Sequence, residues 1–326
     1  MFNNMAKFYK GYECISTELI NFTGNDLARQ VVRFGQLSEF HEGRFNEYDP
    51  YGEYENTVID EIIHGKTFPK YALEGHNVTF QVNNISRINL AQFTRERGFF
   101  CSASSGVRPL TQEFITPLSI YNNKEWMERL EKIQSDIESL YIDMCEAGIP
   151  YMDSRYFGFH SQTISLTYNA CISDWLRSCN SRTENNFADE INYMYRLMYR
   201  DLKTAIRDTV TDPLSKKLWD WLMSMADRKS YYKRDHNYNN DFERFKSPEG
   251  YIPDEPARND WRNSAWKLEL ERILEEEPEL LFPGEKEMIE KWQELERSGI
   301  ELPTTYVKDN KMTPPTRIKT VDYYNK

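Results

Sequence analysis

Residues 83–117 read NNISRINLAQFTRERGFFCSASSGVRPLTQEFITP, and this stretch decides how the rest of the chain is interpreted. Apolar residues at helical spacing predict a short helix in its first part: Ile85, Ile88, Leu90 and Phe93. Gly98 is typical of a residue that ends a helix. The polar residues of the same segment are Arg87, Gln92, Arg95 and Arg97.

A loop of small residues is expected after this helix: Ser102, Ser104, Ser105 and Gly106, with Arg108 just beyond. Arginine side chains bind phosphate oxygens in a bidentate manner, and glycine lets backbone N–H groups approach an anion closely. The pattern therefore favours an anionic oxygen ligand. A solvated basic helix end followed by a flexible turn would have the same composition, and the residues alone leave both interpretations open.

Length and charge limit the classes to which the protein can belong. Its 326 residues are enough for one large domain or for a domain with a sizeable extension. The net charge of −11 argues against a general nucleic-acid-binding surface, so any anion site must be a local basic pocket. No apolar run approaches the length of a membrane span, and the segment MFNNMAKFYK lacks the apolar core of a secretory signal.

Cysteine and histidine residues are few and scattered. The five cysteines include no Cys-x-x-Cys pair, and the five histidines have no zinc-binding spacing. An odd, dispersed set of thiols is typical of reduced cysteines in a cytoplasm. We therefore expect a cytoplasmic protein with no metal site, no membrane association and no direct nucleic-acid binding.

Hydrophobic periodicity predicts most of the remaining helices and strands. Strands are expected at residues 13–22, 78–82 and 164–168, and helices from Leu27 onwards and at residues 57–64, 124–147, 169–181 and 189–206. The helix over residues 124–147 has the clearest pattern, with Gly148 and Pro150 after it. Trp175 and Leu176 are expected to face inward.

The chain is predicted to divide into two parts. Residues 1–215 form the folded domain, and residues 216–326 form a helical extension with a polar tail. Within the extension, residues 261–277 and 283–298 predict two charged amphipathic helices, whose glutamate runs we expect to face solvent.

Several motifs resemble the flavin-dependent thymidylate synthases, whose signature is Arg-His-Arg, seven residues, then Ser-x-Arg. Here Arg95-Glu96-Arg97 is followed after seven residues by Ser105-Gly106-Val107-Arg108, with Gln92 three residues before the first arginine. Later positions resemble the strand that often follows: Leu110, Thr111, Glu113, Phe114 and Pro117. Further on, Gly148-Ile149-Pro150 leads to Arg155, and Arg182 matches a second substrate-holding arginine. The resemblance covers residues 13–210.

This resemblance implies an α+β fold with a mixed sheet flanked by helices, assembled as a homotetramer whose active sites lie between subunits. The implied activity is methylation of a deoxypyrimidine monophosphate at C5, from dUMP to dTMP. Methylenetetrahydrofolate would supply the carbon, and reduced FAD, regenerated with NADPH, would supply the reducing equivalents. No glycine-rich dinucleotide fingerprint is expected in this family, and the sequence has none.

The resemblance also implies site residues. Arg182 would stabilise charge on the pyrimidine ring, and Ser105 is assigned to catalysis with it. The substrate would be held by Gln92, Arg95, Ser105, Gly106, Arg108, Arg155 and Arg182. The cofactor would be held by His76, Arg95, Glu96, Arg97, Asn169 and Arg177. We further expect Arg155 and Arg182 to face one anion-binding pocket.

Three functions are compatible with these motifs. The first is synthesis of dTMP from dUMP. The second is a related reaction that hydroxymethylates dUMP or dCMP at C5, because Glu96 replaces the family histidine and the segment after His76 is short. Without a gap, the family's flavin-contacting Asn, Arg and Asn fall on Cys171, Ser173 and Arg177, and with a gap the first falls on Asn169. The third is a non-catalytic nucleotide-binding or assembly protein on the same fold.

Overall fold

The computed structural model describes residues 6–38, 47–64, 71–94, 98–103, 113–183, 189–227 and 265–298. All five cysteines lie within these ranges, and no disulfide joins them. None of the helices in these ranges has the length and apolar character that crossing a bilayer requires.

Six strands occur in the described residues, and all are short except the two central ones. They are Lys7–Lys10 (β1), Ser16–Phe22 (β2), Asn77–Ser86 (β3), Phe99–Ala103 (β4), Glu113–Thr116 (β5) and Thr163–Cys171 (β6).

Twelve α-helices occur in the same ranges, and two of them exceed twenty residues. They are Leu27–Ser38 (α1), Glu53–Ile63 (α2), Tyr71–Glu74 (α3), Arg87–Phe93 (α4), Leu118–Tyr121 (α5), Lys124–Glu146 (α6), Tyr151–Ser154 (α7), Ile172–Arg182 (α8), Asp189–Thr209 (α9), Pro213–Asp227 (α10), Ala265–Glu276 (α11) and Glu285–Arg297 (α12). Single 3-10 turns follow α7 at Arg155–Phe157 and α11 at Pro278–Leu280.

The strands form two sheets. The larger is antiparallel with the order β2-β3-β6-β4, and the smaller is the parallel pair of β1 and β5. Parallel and antiparallel pairings are therefore divided between two sheets, within the α+β class predicted from the sequence.

The buried core lies between the larger sheet and its helices. Alternate residues of β3 are buried, namely Val78, Phe80 and Val82, as the period-two pattern of a half-covered strand requires. Against them pack α8, with Trp175 and Leu176 facing inward as predicted, and α9, whose Met194 and Met198 are buried. Leu218 and Trp219 of α10 belong to the same core, so α10 is continuous across residues 215 and 216, where the sequence predicts a boundary.

Several predicted boundaries differ in the structure. Ile85 lies in β3, because the ladder with β6 resumes at Ile85 and Ile164 after an irregularity at residues 83 and 84. The helix α4 consequently begins at Arg87 and ends at Phe93, and Gly98 precedes β4. Ser102 was expected in a loop but lies in β4, where it pairs with Thr167.

The helix predicted to begin at Asn169 begins three residues later. Strand β6 continues to Cys171 because it has a partner on both edges, β3 through Asn77 and β4 through Phe99. Hydrogen bonding to a strand on each side outweighs the helical preference predicted for residues 169–171. The helix predicted from residue 57 begins earlier, at Glu53 of α2.

Two glutamates of the extension are buried, contrary to the prediction that its glutamate runs face solvent. Glu269 of α11 pairs with Arg272 at 2.7 Å, and Glu285 of α12 pairs with Arg196 of α9 at 2.6 Å. A charge partner and hydrogen bonds stabilise a buried carboxylate, and Arg272 and Arg196 supply both to these two glutamates. The extension is therefore docked on the core through polar as well as apolar contacts.

Candidate active site

The arginine-rich signature lies at the two ends of β4, the edge strand of the larger sheet. Residues 95–97 come before it and residues 104–112 come after it. Six predicted site residues therefore fall outside the described residues: Arg95, Glu96, Arg97, Ser105, Gly106 and Arg108. The elements that flank them are described, and these fix where the signature enters and leaves the fold.

The approach to the signature begins at the N-terminus of α4. The Ser86 hydroxyl accepts a hydrogen bond from the Asn89 backbone N–H at 3.0 Å, which is the usual role of a helix N-cap. Glu190, at the start of α9, accepts hydrogen bonds from the Ser86 backbone N–H at 2.6 Å and from its hydroxyl. Near the end of α4, the half-buried Gln92 lies three residues before Arg95.

Burial raises the pKa of Glu190 to about 7, and the hydrogen bonds from Ser86 and Asn89 oppose that rise. The carboxylate also lies beside the N-terminus of α4, where backbone N–H groups favour negative charge. Glu190 thus joins α9 to α4 through a group that titrates near neutral pH.

Asp174, in the first turn of α8, contacts the residue that follows Arg95-Glu96-Arg97. Its carboxylate lies against the backbone of Gly98, where a side-chain carbon would collide with it. Gly98 also has a φ of +85°, a conformation that side chains other than glycine's disfavour. The Cys171 thiol donates to the same carboxylate at 3.1 Å, and Arg177 pairs with it at 2.6 Å. The start of β4 is therefore fixed to the N-terminus of α8.

Arg182 is the last residue of α8, and its side chain is half-buried. Trp175, Leu176 and Cys179 anchor this helix because all three side chains are almost completely buried. Thr183 closes the helix by donating its hydroxyl to the Cys179 carbonyl at 2.7 Å. The backbone position of Arg182 is thus determined by core packing.

Arg155 begins the 3-10 turn after α7, and its side chain lies outside the described residues. The expectation that Arg155 and Arg182 face one pocket therefore stays a prediction.

The residues aligned with the family's flavin contacts gather at the N-terminus of α8. The Cys171 thiol lies 3.2 Å from the Ser173 hydroxyl, and Arg177 is exposed one turn further on. Asn169 lies on β6 opposite Phe100, and its amide donates to the Thr79 hydroxyl at 2.6 Å. The Arg177 guanidinium and the Ser173 hydroxyl are donors of the kind that bind phosphate, and the guanidinium is paired with the Asp174 carboxylate in the same corner.

Among the predicted cofactor residues that the structure describes, His76 differs from Asn169 and Arg177 because it is buried. Only 2% of its surface is exposed, and its ring packs edge-on against Phe34 with centroids 6.5 Å apart. Burial lowers the pKa of His76 below its usual range. Its backbone carbonyl accepts from the Ile172 N–H at 2.7 Å, so the residue links β3 to the start of α8.

Sequence reasoning missed Glu190 and Asp174. Each is an acidic residue in the first turn of a helix, a position usually explained by the helix dipole. Their tertiary contacts, to Ser86 and Gly98, join residues 104 and 76 positions apart (190 − 86 and 174 − 98) and have no local signal.

Comparison with known families identifies the fold. The profile of the family described as thymidylate synthase complementing protein matches residues 18–206, more than half of the chain. The chain belongs to this family. It is the family of flavin-dependent thymidylate synthases, so the resemblance drawn from the signature is confirmed, and the protein is a one-carbon transferase.

Among solved structures, one alignment supports the same fold, and a second is weaker. A UMP/dUMP methylase, PolB from Streptomyces cacaoi with bound 5-bromo-dUMP, aligns with a TM-score of 0.50 and 15% identity, over 66% of this chain and 97% of that chain. Thymidylate synthase X from Helicobacter pylori, solved with FAD and dUMP, aligns with a TM-score of 0.42 and 19% identity, over 61% of this chain and 99% of that chain. A search of curated proteins found no match.

Proposed function

We propose that this family member methylates dUMP at C5 to give dTMP, with methylenetetrahydrofolate as carbon donor, reduced FAD as reductant and NADPH as electron source. The observation that carries the proposal is the family match over residues 18–206, which includes both arginine-bearing segments. The solved relatives support the substrate class, since one binds 5-bromo-dUMP and the other binds dUMP with FAD.

Alkylation at C5 of a uracil ring requires electron density at that carbon, and negative charge then develops on the ring oxygens. We assign Arg182 to that charge, because a fixed cation there stabilises the transition state more than the bound substrate. The buried face of α8 holds the helix, so little reorganisation is needed when the charge develops.

A second group of residues would hold the phosphate and so orient the ring. In this proposal the group consists of Gln92, Arg95, Ser105, Gly106, Arg108 and Arg155. The contacts of Ser86 and Gly98 support it, because they fix both ends of the segment that leads through Arg95 to β4.

Reduced FAD, when bound, supplies the hydride that completes the methyl group. We assign its phosphates to Arg95, Arg97 and Arg177, and its remaining contacts to the corner that includes Asn169 and Ser173. The carboxylate of Glu96 would need a cation beside it to tolerate a pyrophosphate.

A second candidate function is hydroxymethylation of dUMP or dCMP, in which the transferred methylene group is hydrated instead of reduced. Glu96 in place of histidine favours it, as do Cys171 and Ser173 at flavin-contacting positions. Mass spectrometry of the nucleotide product separates the two, because a hydroxymethyl product carries one additional oxygen. Absence of turnover with either nucleotide would leave the third interpretation, a nucleotide-binding or assembly protein.

We also propose that the protein acts in the cytoplasm as a homotetramer with active sites shared between subunits. The apolar surface left open on α6 supports self-association.

The direct test of the chemistry is the variant Arg182→Ala in a turnover assay with dUMP, methylenetetrahydrofolate, FAD and NADPH. We expect kcat/KM to fall by about 100-fold or more, with kcat falling more than KM rises. Arg207→Ala is the matched control, because Arg207 is an exposed arginine on α9 that pairs with Asp208. A loss confined to KM would contradict the role assigned to Arg182.

The cofactor is tested separately by titrating FAD into ligand-free protein, with and without dUMP. Saturable binding that weakens in Arg177→Ala supports the assignment. If neither condition gives saturable binding, the flavin-dependent proposal is wrong.

A further inference from the structure

The carboxylate of Asp174 has three neighbours in the corner that includes Arg177. Its Oδ1 pairs with the Arg177 guanidinium at 2.6 Å, and its Oδ2 accepts from the Cys171 thiol at 3.1 Å. The same carboxyl group lies where a side-chain carbon of residue 98 would be. Burial raises the pKa of the Cys171 thiol, so this thiol keeps its proton near neutral pH and remains a donor. One carboxylate therefore joins the end of β6, the first turn of α8 and the residue before β4.

The pair of Asp174 and Arg177 is only partly buried. The Asp174 side chain is 27% exposed, and the Arg177 side chain is 45% exposed. Ion pairs with this degree of exposure contribute little to stability, because water screens the charges and a long side chain loses freedom when it is held. A phosphate group binds a guanidinium through two parallel hydrogen bonds. A phosphate can therefore take Arg177 from Asp174.

Asp174 also lies close to two residues to which the FAD phosphates are assigned. Gly98 follows Arg97 directly in the chain, and Arg177 is one turn along α8 from Asp174. A pyrophosphate held by Arg97 and Arg177 would therefore approach the Asp174 carboxylate. Like charges repel at close range, and the repulsion grows when a bound ligand excludes water from between them.

We propose that Asp174 is a specificity-determining residue of this corner, because its carboxylate competes with the phosphate groups of a bound ligand for the Arg177 guanidinium. In the ligand-free protein Asp174 holds Arg177, and in the bound protein the phosphate holds it. The carboxylate thus lowers the affinity for ligands that carry phosphate. This inference rests on the assignment of the FAD phosphates to Arg177 in the proposed function and does not involve the role assigned to Arg182.

A purely structural role for Asp174 predicts a different result. Asp174 is the third residue of α8, where an acidic side chain stabilises a helix, and its pair with Arg177 spans one helical turn. If this were its whole role, removing the charge would lower the free energy of unfolding and would leave anion binding equal or weaker. Competition predicts that anion binding becomes tighter. The sign of the change in affinity therefore separates the two roles.

The first experiment titrates FAD into ligand-free wild type and into Asp174→Asn, both as the full chain. We expect the variant to bind FAD about fivefold or more tightly, because asparagine keeps the size of the side chain and removes its charge. Asp208→Asn is the matched control: it removes the same charge from an exposed pair with Arg207 on α9, and its Kd for FAD should equal that of the wild type. Asp174→Ala provides the same measurement if Asp174→Asn does not fold.

The second experiment asks whether the gain in affinity depends on the contested guanidinium. FAD is titrated into Arg177→Ala and into the double variant Asp174→Asn/Arg177→Ala, which completes a double-mutant cycle. We expect the gain from Asp174→Asn to be largely lost when Arg177 is absent. A gain of the same size in both backgrounds would overturn competition for Arg177 and would indicate a general repulsion by Asp174.

The third experiment uses inorganic pyrophosphate, which has the phosphate charges of FAD but no flavin ring. If FAD binds neither protein but Asp174→Asn binds pyrophosphate more tightly than the wild type does, the flavin-dependent proposal is wrong and the competition stands. If FAD binds the wild type and Asp174→Asn equally well, the flavin-dependent proposal stands and the competition is wrong. An Asp174→Asn variant that binds neither ligand more tightly than the wild type overturns this inference.

Discussion

Glu190 joins the start of α9 to the N-cap of α4, the helix that precedes the arginine signature. Its carboxylate accepts from the Ser86 backbone N–H at 2.6 Å and from the Ser86 hydroxyl. Because burial raises the pKa of Glu190 to about 7, above its ordinary value of 4.5, the folded protein binds this proton more tightly than the unfolded chain.

This shift predicts a pH dependence of stability. The stability that the protonated Glu190 carboxyl contributes is fully present below about pH 4.5. It is lost as the pH rises through about 7, because the unfolded chain releases this proton at a lower pH than the folded protein does. We expect the free energy of unfolding in urea to fall by about 1–3 kcal/mol over that interval from this group. Glu190→Gln should flatten the profile, whereas Glu18→Gln, which removes an exposed carboxylate from β2, should not.

Gly98 provides a second prediction. Gly98→Ala places a side chain at a φ of +85° and against the Asp174 carboxylate, so it combines backbone strain with a collision. Gly148→Ala is the matched control, because Gly148 has the same φ and no heavy atom within 4 Å of the added carbon. We expect Gly148→Ala to cost about 1 kcal/mol in urea unfolding and Gly98→Ala measurably more.

A double variant checks the cause. Combining Gly98→Ala with Asp174→Ala should recover part of the additional loss, since the carboxylate that collides is removed. If both glycine variants lose the same stability, the contact with Asp174 has no energetic role.

At the scale of elements, the extension is held to α9 by two buried arginines. Arg196 donates to both carboxylate oxygens of Glu285 and to the Leu280 carbonyl, and its guanidinium lies 4.8 Å from the Phe282 ring centre. Arg272 pairs with Glu269, Glu276 and Glu277, and Tyr193 of α9 donates to Glu277 at 2.7 Å.

We predict that Glu285→Ala costs about 3–5 kcal/mol, because it leaves the Arg196 guanidinium buried without its counter-charge. The measurement is urea unfolding at neutral pH. Lys286→Ala is the control: Lys286 lies next along α12, in an exposed pair with Glu290 at 3.9 Å, and should change stability by less than about 1 kcal/mol. If the two variants lose similar amounts of unfolding free energy, the buried pair of Glu285 and Arg196 stabilises the fold no more than the exposed pair of Lys286 and Glu290 does.

Elements with strong periodicity were predictable from the sequence, and elements fixed by distant pairing were not. The ends of α6 match the prediction because Asn123 caps its start and Gly148, with a φ of +85°, ends it. The extent of β6 depends on β3 and β4 on its two edges, which no local pattern reveals. The buried state of Glu285 depends equally on a partner 89 residues away.

The same distinction applies to the site. The signature and Arg182 were predicted from residue order, because the family pattern is carried by spacing, and their roles stay predictions. The burial of His76 was not predicted, because a Gly-His pair before a strand is also typical of an exposed turn. Glu190 and Asp174 were missed because each acts on a residue that is distant in sequence.

At the scale of the whole molecule, one prediction concerns the extension. A chain that ends after residue 227 loses Leu270, Ile273 and Phe282 from the core and exposes the surface of α9 that they cover. We expect it to aggregate or to unfold at much lower urea concentration than the full chain. A chain that ends after Ser298 keeps every described contact and is the control. Equal stability of the two truncated chains would support a folded domain that is independent of α11 and α12.

The parallel pair of β1 and β5 has a consequence for synthesis on the ribosome. Strand β1 runs from Lys7 to Lys10, but its ladder partner begins at Glu113, 106 residues later (113 − 7). At translation rates of about 5–20 residues per second, β1 emerges roughly 5–20 s before it can pair. During that delay its unpaired backbone is open to other nascent chains, so we expect chaperones to matter most early in translation.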